Sequence, residues 1–77
     1  MNPSKIYSVT PGSSGKLNII DATNGRMVNR IQYPGTIVTG PIVVGDKCTL
    51  VVQDNSGIRK GKIYNLPQGT LHQTYSV

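Results

Sequence analysis

The side chains in this chain able to do acid, base or nucleophilic chemistry are few: His72, Cys48, and the carboxylates Asp21, Asp46 and Asp54. A general base must stand within hydrogen-bond reach of the group it deprotonates. His72 has no Ser, Cys or Asp at a spacing that would serve it, so it reads as an ordinary strand residue. Cys48 sits in an apolar stretch, where a free cysteine behaves as a small hydrophobe. The carboxylates stand at turns, as in Gly45-Asp46 and Asp54-Asn55, and turn chemistry accounts for them. One cysteine allows no internal disulfide, and no Cys/His cluster has the spacing of metal ligands. The expectation is therefore a protein that is not an enzyme and uses no cofactor.

The remaining charge is basic: 8 Lys and Arg against 3 acidic residues, a formal net charge of +5. Such an excess suits an anionic neighbour, whether nucleic acid, an acidic protein surface or lipid headgroups. Arg59, Lys60 and Lys62 cluster in sequence and, with Lys16, Arg26 and Arg30, form the candidate contact set. Exposed basic residues also keep strand edges soluble, which is the alternative reading of the same set. Tyr7 and Tyr64 each follow Lys-Ile, which suggests repeated packing positions more than a platform for stacking bases.

The elements that must carry these residues are strands. No apolar stripe of helical spacing has useful length; short β-branched runs alternate with Gly, Pro, Asn and Asp. The pattern predicts strands at Lys5–Val9, Lys16–Asp21, Arg26–Gln32, Pro41–Val44, Cys48–Gln53, Lys62–Leu66 and Leu71–Val77. Pro41–Val44 is apolar on both sides, as in a strand buried on both faces. The stretch Pro34–Pro41 reads as a crossover between two groups of strands, and Asp54–Lys60 as a polar loop.

The chain also repeats itself. Gly15-Lys16-Leu17 matches Gly61-Lys62-Ile63, Gly25 matches Gly69 after a two-residue gap, and Lys5–Val9 aligns with Thr49–Gln53. A period of about 45 residues holding four short strands is the spacing of a β-propeller blade. The expected architecture is all-β, with two propeller-like blades and seven short antiparallel strands in one domain, 1–77. Residues 1–35 form an incomplete three-stranded blade and residues 36–77 a complete four-stranded one.

The residues resemble the blades of quinoprotein-type propellers. The likeness lies in Gly15-Lys16-Leu17, Asp21-Ala22, the turn closing on Gly25 and the aliphatic Met27-Val28, with Pro41–Gly57 similar to the family's inner hairpin. Asn29 stands where that family usually has a docking Trp, and the Ca²⁺ and quinone ligands have no counterpart. The resemblance thus implies fold and no redox chemistry. A short chain made wholly of blades also looks similar to small virion proteins of tailed bacteriophages, which form rings in the tail, collar or capsid.

Size points to partners as well. A chain of 77 residues with 9 Gly, 5 Pro and neither Trp nor Phe buries a modest core. Lacking disulfide and metal, it has oligomerisation left as a way to enlarge that core. Two blades cannot close a ring, whereas propellers have about four to eight. A homo-oligomer is expected, with three copies preferred and larger rings possible, in contact with other virion proteins and assembled in the host cytoplasm. No apolar run approaches the roughly 20 residues that span a bilayer, and Met1–Val9 lacks the apolar centre of a signal peptide, so membrane insertion is not expected. The competing reading is a small basic β-barrel that binds nucleic acid, which size and charge also fit but the internal period does not require.

Overall fold

Leu17 and Ile19 alternate with Lys16, Asn18 and Ile20, and a period of two lets an extended strand bury one side. In the computed structural model, which describes residues 6–77, Leu17 and Ile19 are buried and their neighbours half-buried. The same logic builds seven strands: β1 (Tyr7–Pro11), β2 (Lys16–Asp21), β3 (Arg26–Gln32), β4 (Thr36–Val44), β5 (Lys47–Gln53), β6 (Arg59–Asn65) and β7 (Leu71–Ser76). The protein is all-β. Its strands pair antiparallel in two sheets, β1-β2-β3 and β4-β5-β6-β7.

β2 and β3 lie where the sequence predicts them. Lys5, expected to open the first strand, lies outside the described residues, as do the other residues of 1–5 on which the reading of the N-terminus partly rests. β4 differs most, starting at Thr36 and not at Pro41. Thr36, Ile37 and Thr39 pair with Gln53, Val52 and Val51, so the crossover shrinks to Tyr33-Pro34-Gly35. Gly40-Pro41 does not end the strand; it is taken up as a register shift. β4 is an edge strand, where proline has no ladder hydrogen bond to donate. β6 likewise starts early, because Arg59 and Lys60 pair with Gln53 and Val52.

Between the β2–β3 and β6–β7 hairpins the internal repeat is tighter than the sequence match, whereas the alignment of Lys5–Val9 with Thr49–Gln53 is corrected, because Ser8 faces Ile20 as Cys48 faces Tyr64. Lys16, Leu17, Asn18 and Ile19 face Gln32, Ile31, Arg30 and Asn29. Lys60, Gly61, Lys62 and Ile63 face Ser76, Tyr75, Thr74 and Gln73. Every pair is displaced by 44 residues, and the irregularity between Ile19 and Ile20 recurs between Ile63 and Tyr64. The turns agree too: Gly25 N donates to Asp21 O and Gly69 N to Asn65 O, each at 2.8 Å. The match of Gly15 with Gly61 read from the sequence is therefore corrected. Gly15 is a turn residue with φ 79°, while Gly61 lies within β6 and corresponds to Leu17. No two residues are lost from the second turn. Tyr7 and Tyr64, on β1 and β6, are not repeat equivalents, although both pack in the core.

One core joins the sheets. Leu17, Ile19 and Ile31 from the first pack with Cys48, Leu50, Val52, Tyr64 and Leu66 from the second. Burying a Leu or Ile side chain contributes about 1.5–3 kcal/mol, and together these contacts hold sheet against sheet. Gly35 makes the short crossover possible: its φ is 70°, and a Cβ there would collide with the Gln53 carbonyl.

Candidate functional site

The repeat makes the two sides of each sheet chemically distinct. The side of the first sheet that carries Leu17, Ile19 and Ile31 is covered by the second sheet. Its equivalents, Gly61, Ile63 and Tyr75, lie on the side of the second sheet turned away from the core. The covered side of the second sheet, with Tyr64, corresponds instead to the outer side of the first, with Ile20. The sheets are thus stacked front to back, and among the described residues nothing covers the second front.

That open front is a shallow groove of about 440 Å³ walled by Ile42, Val44, Thr49, Ile63, Gln73 and Tyr75. Ile42 and Val44 are 51% and 67% exposed, whereas Val43 and Ile37 pack on the core. The expectation that Pro41–Val44 is buried on both faces is corrected here: among the described residues only one side has cover. Tyr75 lies flat over Gly61, where a Cβ would run into its ring, and its hydroxyl reaches Thr49 Oγ1 at 3.3 Å. The first sheet puts Leu17 opposite Ile31, and the second puts Gly opposite Tyr, which exchanges volume across one cross-strand pair.

Between the two sheets sits a polar clasp. Asn29 Nδ2 donates to the carbonyl oxygens of Pro67 and Gln68, at 3.1 and 2.8 Å, in the β6–β7 turn. A Cβ at Gly69 in that turn would lie 2.6 Å from the Arg30 carbonyl. Asn29 therefore joins the two sheets through its carboxamide. Sequence reading missed this role. The available signal was an amide on the side of β3 that also carries Ile31.

The six basic residues are not gathered into one patch. Lys16 pairs with Gln32 at one end of the β2–β3 hairpin and Arg26 with Asp21 at the other, about 17 Å apart at roughly 3.3 Å per residue. Arg30, opposite Asn18, lies between them. Lys60 and Lys62 do come together, lining a recess with Pro34, Val52, Asp54 and Ile58. Lys62 Nζ is 3.2 Å from Thr74 Oγ1, and Arg59 Nε donates to Gln53 Oε1 at 3.0 Å.

The turn carboxylates have partners close by in the chain. Asp21, 2% exposed, accepts hydrogen bonds from Thr23 N and Oγ1 at 2.9 and 2.6 Å. Asp54 Oδ1 accepts from Ser56 N and Ile58 N. Asp46 is held below the usual carboxylate range by its hydrogen bond to Lys47, 3.1 Å away. Cys48 is fully buried, and desolvation pushes its thiol up to about 11. Burial also raises Tyr64, with Cys48 adding to the effect. His72 falls at the irregularity in β7, on the rim of the open groove.

Compared with protein-family models, curated proteins and solved structures, the chain matches none. No helix of the described residues is long and apolar enough to cross a membrane.

Proposed function

We propose that this protein is a structural subunit of a multi-chain ring of β-propeller blades, acting through protein–protein contact and not through catalysis. β1–β3 make a blade without its innermost strand, and β4–β7 make a complete one. The observation that carries this reading is the 44-residue repeat of register, irregularity and turn, which stacks the sheets front to back. A stack of that kind buries every sheet side only when it closes on itself. Three copies supply six sheets, within the roughly four to eight usual for propellers, and larger rings follow the same rule. The resemblance to small virion proteins of tailed bacteriophages supplies the setting: a tail, collar or capsid-associated ring that meets other virion proteins. The basic excess then faces an acidic protein surface.

Native mass measurement tests the ring. A stable particle of three or more chains is expected, and a monomer persisting at micromolar concentration overturns the reading. The recess that gathers Lys60 and Lys62 favours a second reading, nucleic-acid binding. Phosphate contacts are strongest at low salt, so a DNA titration there should show binding if that reading holds. Absence of binding removes it.

A further inference from the structure

The repeat that stacks the two sheets also specifies what the open groove receives. Asn29, which clasps the β6–β7 turn, corresponds in register to Gln73, a carboxamide on the wall of the groove. Pro67 and Gln68, whose carbonyls Asn29 holds, correspond to Thr23 and Asn24 in the β2–β3 turn. Gly69, pressed against the Arg30 carbonyl, corresponds to Gly25, and a Cβ at Gly25 would meet nothing within 4 Å. One turn is seated and clasped; its equivalent is bare. One carboxamide is engaged; its equivalent looks out over an apolar groove.

We infer that the groove of the second sheet is a docking site for a second copy of this chain, which seats its β2–β3 turn there. In this seam the Gln73 side chain donates to the backbone carbonyls of Thr23 and Asn24 of the incoming copy. Ile42, Val44 and Ile63 cover the outer side of its first sheet around Ile20. The seam continues the internal sheet-to-sheet interface by one further step of the same kind. It also gives β4 the second cover that its apolar residues lack. Because each copy offers a groove at one end and a turn at the other, the contact is head to tail, with different surfaces meeting. The inference rests on the ring reading and deepens it by naming the seam.

Cysteine trapping separates the two. Gln73→Cys chains mixed with Asn24→Cys chains under mild oxidation should form a crosslinked pair, and neither chain alone should do so. Buried Cys48 contributes no background while the protein is folded. A crosslink of Gln73→Cys to itself means the two grooves face each other, and overturns the head-to-tail seam. A ring by native mass with no mixed crosslink overturns the seam and leaves the ring standing; a monomer overturns both. Gln73→Glu provides a second measurement, since a carboxylate has no donor for two carbonyls. It should weaken association about tenfold or more while leaving the monomer's melting unchanged. Asn29→Ala should do the reverse, lowering the melting temperature of the monomer itself. A Gln73→Glu ring that forms as readily as the wild type overturns the assignment of Gln73.

Discussion

Cys48 and Asn29 mark the two extremes of what single residues disclose. Cys48 lies in an alternating apolar strand, and its burial is legible from that setting alone. The Asn29 partners lie 38 and 39 residues along the chain, and no local pattern announces a contact of that separation. Asp21 and Asp54 are intermediate, because Thr23 for the one and Ser56 and Ile58 for the other sit within four residues, and turn chemistry foretells those bonds. Burial of Cys48 has a consequence in alkali. Its ordinary pKa of 9.0 rises to about 11 on folding, so both states stay protonated well below pH 9. Between pH 9 and 11 unfolding releases a proton, and stability should fall by about 2–3 kcal/mol through this group. The raised pKa of Tyr64 acts in the same direction. Denaturant titrations across that range should show a shallower decline for Cys48→Ala than for the wild type. An equal decline would place the alkaline transition elsewhere.

Strand ends follow pairing, and pairing is only partly written in local composition. β2 and β3 are bounded by clear turn residues and fall where expected. Gly40-Pro41 has the look of punctuation, yet Thr36–Thr39 find partners on β5, and the pair becomes an irregularity inside a longer edge strand. The repeat shows a similar split. The turns closing on Gly25 and Gly69 are recognisable, but the shared Gly-Lys pulls the alignment two residues out of register. Only the ladder shows that Gly61 belongs opposite Tyr75 and takes the place of Leu17. That pair makes a test at the level of the sheet. Gly61→Ala puts a methyl into the Tyr75 ring and should cost about 1–3 kcal/mol by overpacking. In a Tyr75→Ala background the same change should cost much less, because the obstacle is gone. A double-mutant cycle in thermal or denaturant unfolding reads the coupling. Additive costs would mean that ring and glycine do not depend on each other.

The fold measures 45 × 24 × 16 Å, long for its size, and among the described residues one sheet front and one sheet back have no cover. Its ring reading ties folding to association, and whatever binds only the folded form raises apparent stability by mass action. The melting temperature should therefore climb as protein concentration is raised through the association range; a constant value would argue that the chain is stable by itself. The Tyr33–Gly35 joint bears on a different outcome. Three residues join the two sheets, and Gly35 among them passes so close to the Gln53 carbonyl that no Cβ would fit. In the proposed ring a front-to-back seam would contain no stopping signal of its own, so the angle at this joint would decide whether growth curls shut or runs on as a filament. On this view the joint acts as the assembly's length gauge, and loosening it would be seen in how long the particles grow.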